Sequence, residues 1–310
     1  MVEFIKPSST FEGHKMKLGL GTVQFGLNYG LANTNNICTD NELKKIISYA
    51  TQNNVNLLDT APVYGNAEQR LGQTNQMPNF TVISKVFQDN NRRYDSKEVI
   101  SGVKKSLKNL RVNSIYGVLC HNSETIKSNE TKNLLSQLVT LKNEGLCQKI
   151  GISIYDTNDV DFVISNNSID IVQLPLNLFN QSFFKKDSLK KLKDNEIEVH
   201  VRSVFLQGLL LMGESEITKK IPRALPYIKN LFEISNSFKT TPLSLALGFV
   251  SNIEEVDKII VGVTNLQQFQ QIIENYGLQV SPSDLDGLNV EDNIISDPRS
   301  WILYPEKLMT

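Results

Sequence analysis

The sequence predicts a (β/α)8 barrel, an α/β fold of the TIM type, and three observations predict it. Eight short apolar runs alternate with helical patterns along the whole chain of 310 residues. Strand and helix in alternation imply parallel pairing, because parallel neighbours need a crossover between them. Eight such units in about 250 residues are what a closed barrel requires. No composition shift marks a second domain, and the 40% hydrophobic content is enough for one large core. A doubly wound open sheet is the alternative, but no Gly-x-Gly-x-x-Gly follows an early strand.

The elements read in order as follows. Residues 1–16 are polar and irregular, an expected N-terminal arm, and 17–310 form the expected barrel with a C-terminal tail. Strand one is 17–22, broken by glycines, and a loop with three aromatics runs over 23–33. Asp40 is the expected cap of a helix with Leu43, Ile46, Ile47 and Ala50 at helical spacing. Strand two is 55–59. The β-branched run 80–85 is strand three and ends in a lysine. Ser96 is the expected cap of a helix bearing Val99, Val103, Leu107 and Leu110. Strand four, 115–121, ends in a histidine. A helix over 130–143 stops at Gly145. Strand five is 148–153, a helix covers 157–165, and strand six is 169–174. A helix over 183–194 leads to strand seven, 198–204. Helices near 223–238 and 242–249 precede strand eight, 258–261, and a helix over 266–275. The tail from 280 reads as mostly loop.

Composition excludes several classes. A formal net charge of −1 gives no field to draw the protein to nucleic acid or to an anionic membrane. No run of eighteen apolar residues occurs, so no membrane span is expected. The three cysteines are widely spaced, with neither metal-ligand pairing nor a disulfide framework. No metal site is expected, and a reducing cytoplasm is the expected location. The first ten residues do not have the shape of a signal peptide. No self-complementary patch can be read, so the oligomeric state is left open.

Residues 57–72 organise the chain. A buried strand ends at Asp59, the run breaks at Pro62, a loop carries Tyr64, and a helix resumes after Gly65. Lys85 follows at the end of strand three and His121 at the end of strand four. In a barrel, successive parallel strands end on one face, so these four side chains can converge there. A phenol is a poor acid at neutral pH, with a pKa of about 10. A nearby ammonium favours the phenolate, and a carboxylate paired to that ammonium keeps it charged. A histidine donor can orient a carbonyl oxygen. The set suits protonation of an oxygen as negative charge develops on it.

The run Asp59-Thr60-Ala61, Tyr64-Gly65, Glu68 and Leu71-Gly72 resembles the active-site signature of the aldo-keto reductases. The resemblance spans roughly 17–305. It implies that Tyr64 is the general acid, that Lys85 and Asp59 tune it, and that His121 orients the carbonyl. It also implies a nicotinamide cofactor, bound across the barrel top without a Rossmann domain. Ser153 and Gln173 resemble the carboxamide contacts, although Ile154 stands where the family has an Asn. Arg202, beside Ser203, falls where many members stack a tyrosine on the nicotinamide ring. Phe205, Gln207 and Gly208 resemble the loop over the pyrophosphate. Gly262, Thr264, Asn265 and Gln268 resemble the adenosine-phosphate site, where a helix N-terminus suits an anion. NADPH is the family expectation. The segment has no nearby Lys or Arg, which makes NADH the alternative.

The expected partner is a small carbonyl substrate. Phe25, Tyr29, Val63, Asn122, Asn177 and Trp301 are the expected lining of its pocket. The segment 23–30 is similar to bacterial members associated with surface polysaccharides, which implies a sugar-derived carbonyl. Two rival readings differ in kind. One is a nucleotide-binding regulatory subunit with little turnover. The other is an isomerase or dehydratase with a phosphate site near Gly262, which would leave the Asp59, Tyr64, Lys85 and His121 set unexplained.

Overall fold

The computed structural model describes residues 16–33, 37–86, 96–121 and 129–303. Residues 1–15 of the expected arm and Asn122 lie outside the described residues. Eight parallel strands close in sequence order, β8 pairing back to β1. They are β1 (Leu18–Gly21), β2 (Leu57–Asp59), β3 (Thr81–Val86), β4 (Ile115–Cys120), β5 (Cys147–Ser153), β6 (Ile171–Pro175), β7 (Glu198–Arg202) and β8 (Lys258–Gly262). The helices between them are α1 (Asp40–Gln52), α2 (Ala67–Gln73), α3 (Ser96–Leu110), α4 (Asn129–Asn143), α5 (Val160–Ile164), α6 (Ser182–Lys185) and α7 (Ser188–Asp194). After β7 come α8 (Glu214–Lys220), α9 (Leu225–Ser237) and α10 (Pro242–Ser251). After β8 come α11 (Leu266–Glu274), α12 (Asn293–Ser296) and α13 (Pro298–Leu303).

Several expectations need correction. Thr39, not Asp40, caps α1: its side chain accepts from the Glu42 N–H at 3.2 Å, and Asp40 is the first helical residue. The single helix expected over 183–194 is two, because Asp187 turns left-handed at φ 54° between α6 and α7. The tail is not mostly loop. It folds as a 3-10 stretch, Pro282–Leu288, followed by α12 and α13.

Alternation along the strands creates two apolar layers. Leu57, Ile83, Leu119, Ile171 and Ile260 fill the barrel interior. A much larger cluster, including Leu58, Val82, Val118, Ile150 and Val172, packs the strands against the helices. A polar knot lies toward the N-terminal ends of the strands. Glu198 at the start of β7 accepts from Tyr116 Oη at 2.6 Å and Lys149 Nζ at 2.5 Å, and it meets His200 Nε2 at 2.7 Å. Burial alone would raise the Glu198 pKa. The hydrogen bonds from His200, Lys149 and Tyr116 outweigh it and hold the carboxyl well below the usual range.

A group depressed in the folded state stabilises above its unfolded pKa, about 4.3 for Glu, and loses that contribution as pH falls. Glu198→Gln is therefore expected to cost about 1–3 kcal/mol at neutral pH. The cost should shrink steadily below about pH 4, and urea unfolding as a function of pH checks both.

Candidate active site

The C-terminal ends of β2, β3 and β4 bring the four sequence-predicted polar residues together. Lys85 Nζ lies 2.6 Å from Asp59 Oδ1 and donates to the Thr60 carbonyl at 3.1 Å. Both side chains are almost fully buried. The second carboxylate oxygen accepts from Gln173 Nε2 at 2.7 Å, a bond that reaches across the barrel from β6. The Lys85 ammonium stands 5.3 Å from the centre of the Tyr64 ring. Burial would lower the lysine pKa, but Asp59 and Tyr64 more than compensate and raise it. Lys85 is a fixed cation beside the phenol.

Burial dominates at Tyr64 and raises its pKa above the ordinary phenol value, although Lys85 and Arg202 pull the other way. Lys85 acts on the phenol in the expected direction, but burial outweighs it, and the resting phenol is protonated. His121 is pushed down to about 2 by burial, then by the charges of Lys85 and Arg202. It is a neutral imidazole throughout the physiological range. Asp59, Tyr64 and His121 line one cavity of about 510 Å³, with Lys85 buried behind them.

The loop that carries Tyr64 is held by backbone contact. A Cβ on Gly26 would lie 1.9 Å from the Tyr64 carbonyl oxygen, and one on Gly65 would lie 2.4 Å from the Gly26 carbonyl oxygen. Gly65 also turns left-handed, at φ 60°. Arg70 of α2 fastens the same corner, donating to the carbonyls of Phe25 and Cys38 and pairing with Asp40.

The cavity continues from the tetrad toward α11. Arg202, Ser203, Phe205, Gln207, Gly208, Gly262, Thr264 and Gln268 line it. So do Thr22, Gln24 and Tyr155, which sequence reasoning passed over. Gln24 lay inside a segment singled out for other residues, and Tyr155 follows Ser153 by two. Thr22 Oγ1, Gln24 Oε1 and Ser153 Oγ are buried with no hydrogen-bond partner. Of these residues Thr22 and Gln24 line the cavity, and they suit a polar ligand laid along the barrel mouth. Ser153 and Asn265 themselves stand outside the cavity wall. Gln173 lines it, but its amide nitrogen is committed to Asp59.

Of the expected substrate contacts, Tyr29 reaches the cavity. Phe25 is fully buried in the core and Val63 points to solvent. Asn177 is spent on the backbone: Nδ2 donates to the Ser203 carbonyl, and Oδ1 accepts from the N–H groups of Phe179 and Asn180. Trp301 packs the tail, with Nε1 donating to the Ile294 carbonyl at 2.9 Å. The tail reaches Tyr155 through Arg299 instead.

A family model described as the aldo/keto reductase family matches residues 17–289. The chain belongs to the aldo/keto reductase family. The family comprises NAD(P)H-dependent oxidoreductases of small carbonyl compounds. Over 130 residues this aldo/keto reductase is 30% identical to the D-arabinose 1-dehydrogenase of Saccharomyces cerevisiae. That match takes in 39% of this chain and only 38% of that protein. The fold is shared with an aldo-keto reductase from Bacillus halodurans at TM-score 0.73 and 17% identity, over 94% of this chain and 99% of that one. It is also shared with a glycerol dehydrogenase from Gluconobacter oxydans at TM-score 0.69 and 19% identity, over 95% and 96%. Among the described residues, no helix is long and apolar enough to cross a membrane and no acidic, His or Cys cluster could hold a metal.

The glycine contact under Tyr64 is testable. Gly26→Ala is expected to cost about 1–3 kcal/mol by overpacking and to lower the thermal midpoint. Ala at Gly102, where an added Cβ meets nothing within 4 Å, should leave the midpoint unchanged or slightly higher, since alanine favours a helix interior.

Proposed function

We propose that this chain reduces a small aldehyde or ketone with a nicotinamide dinucleotide, Tyr64 delivering the proton. The observation that carries this reading is the convergence of Asp59, Tyr64 and His121 on one cavity, with the Lys85 ammonium fixed behind the phenol. Neutral His121 can donate an N–H to the carbonyl oxygen and orient it beside the Tyr64 hydroxyl. The bound nicotinamide supplies the hydride. As negative charge grows on the carbonyl oxygen, the Tyr64 proton passes to it, and the resulting phenolate faces Lys85. Asp59 and Gln173 keep Lys85 in place through that change. Oxidation of the alcohol reverses the same transfer.

Residues along the cavity would hold the dinucleotide: Gln173 near the tetrad, Ser203, Phe205, Gln207 and Gly208 in the middle, and Gly262, Thr264 and Gln268 at the far end. Ser153, with its unpartnered hydroxyl, sits beside Gln173 in the β5–β6 register. A sugar-derived carbonyl fits the name of the yeast relative and the resemblance of segment 23–30. A cytoplasmic setting fits three free, buried thiols.

The N-terminus of α11 favours NADH over the family expectation of NADPH. Several of its donors are already taken. The Leu266 N–H donates to Glu42 Oε2 at 2.9 Å, and the Gln268 N–H donates to Asn265 Oδ1 at 2.9 Å. Thr264 gives both its N–H and its hydroxyl to Gln268 Oε1, at 2.8 and 3.0 Å. The other Glu42 oxygen pairs with Lys45 at 2.9 Å, so that cation is neutralised too. A 2′-phosphate there would meet the Glu42 carboxylate, and among the described residues no Lys or Arg lines that end of the cavity to answer it.

Three outcomes follow for loss of reduced-nicotinamide absorbance with an activated aldehyde. Tyr64→Phe should lower kcat by about a hundredfold or more; equal rates in both proteins would remove Tyr64 as the acid. The reduction rate should be level through neutral pH and decline only above the ordinary phenol value of about 10, because the phenol must stay protonated and its pKa is raised. NADH should be preferred in wild type, and Glu42→Gln should improve kcat/KM for NADPH by about tenfold, equivalent to about 1.4 kcal/mol. A wild type that prefers NADPH would overturn the cofactor assignment while leaving the acid in place.

A further inference from the structure

The cavity wall carries one charge without a counter-ion. Among its described residues only Asp59 and Arg202 bear an ionised side chain, since His121 is neutral. Asp59 is answered by Lys85. Arg202, at the end of β7, donates from Nη1 to Ser203 Oγ at 3.2 Å. Its Nη2 is buried and meets no hydrogen-bond acceptor. No carboxylate among the described residues pairs with it.

Tyr155 sets the attitude of this guanidinium. The central carbon of Arg202 lies 4.2 Å from the Tyr155 ring centre. Arg299 of α13 lies at the same distance from the same ring. The two arginines differ in one respect. Asp297 takes two bonds from Arg299 Nε, at 3.0 and 2.9 Å, and one from Nη2 at 2.5 Å. Arg202 has no equivalent. A desolvated guanidinium donor left without an acceptor is costly. The rest of the half-buried guanidinium faces the cavity, where an anion would answer its charge, and a guanidinium presented in a fixed plane suits oxyanions. Arg202 also acts on the tetrad electrostatically, being one of the charges that bias His121 and Tyr64.

We propose that Arg202 holds an anionic group of the carbonyl substrate, a carboxylate or a phosphate, and so selects acidic aldehydes over neutral ones. The inference rests on the reductase reading of the same cavity but fails separately from it. The dinucleotide's own diphosphate is the other source of the same chemistry, and the experiment distinguishes the two.

The experiment compares two pairs that differ by the anionic group, succinic semialdehyde against butanal and glyceraldehyde 3-phosphate against glyceraldehyde. Wild type, Arg202→Met and Arg202→Lys are measured with NADH and NADPH. Calorimetric titrations of the protein with succinate, inorganic phosphate and NADH accompany the kinetics, and thermal midpoints report folding. In wild type, kcat/KM should favour the charged member of at least one pair by about tenfold or more. That ratio should approach one in Arg202→Met and be partly kept in Arg202→Lys, which retains the charge but not the planar fork. The pair that responds identifies the anion. A ratio near one in wild type, or one unchanged in Arg202→Met, overturns the proposal. So does a loss of NADH affinity in Arg202→Met with the ratio intact, which would assign Arg202 to the diphosphate. Should Arg202→Met fail to fold, Arg202→Lys decides: an unchanged ratio there, with succinate and phosphate not binding to wild type, overturns the proposal. Succinate or phosphate binding that depends on Arg202, without turnover of any aldehyde, would sink the reductase reading and keep the anion site.

Discussion

The buried contact between Lys85 and Asp59 is the constraint around which the site is built. Two opposite charges have been taken out of water at the end of a barrel, where desolvation is severe unless every remaining valence is met. Here the requirement is met from three strands. Asp59 ends β2, Lys85 lies in β3, and Gln173 comes from β6, 114 residues further along the chain than Asp59. The Thr60 carbonyl takes another lysine proton. Removing either charge would leave the other buried and unpaired, a penalty of about 3–5 kcal/mol in comparable pairs. The geometry that places an ammonium beside Tyr64 is thus also needed to keep the barrel end folded. The polar knot around Glu198 does a similar service toward the other end, without facing the cavity.

The mouth of the barrel is shaped by loops that grip one another. After β7 the backbone turns left-handed at Leu206, Gln207 and Gly208 in succession. Such a conformation is costly for Leu and Gln, and it persists only when neighbours fix it. The Ala32 N–H donates to the Gln207 carbonyl at 3.3 Å, and Lys220 donates to the Leu31 carbonyl at 3.0 Å. The loop after β1 is thereby tied to the loop after β7 and to α8. This tie forms part of the cavity wall, which Gly30, Ala32, Gln207 and Gly208 line.

The signature around Tyr64 mixes chemistry with packing. Asp59 and Tyr64 face the cavity, but Glu68 is buried beneath it. Glu68 accepts from Ser84 at 2.8 Å and from Asn109 at 3.4 Å, so it joins α2 to β3 and α3. A Cβ on Gly72 would lie 2.1 Å from the Asn109 carbonyl oxygen, which is why α2 can lie so close to α3. Arg70 binds the loop after β1. A contiguous motif is therefore only partly a list of reacting groups. Its remaining members hold the loop at the position the reacting groups require.

By itself the sequence determined the barrel, the order of its eight strands and the strand ends on which the tetrad stands. Those features are local: apolar period, cap residues and a polar residue closing each run can be read a few residues at a time. It did not determine which neighbours those side chains would find. That the Tyr64 pKa rises is a matter of burial, which depends on everything packed above the phenol. That Phe25 and Trp301 serve the core, and Asn177 the backbone, follows from contacts with distant segments. Glu42 of α1 is 224 residues from Leu266, its partner at the start of α11, and Arg299 reaches Tyr155 only because the tail folds back as two short helices. Charge balance in the cavity is the plainest case. A lone arginine at a strand end reads as any solvated or paired cation, and only closure of the barrel, which brings Lys85 to Asp59 and leaves Arg202 with none, decides otherwise.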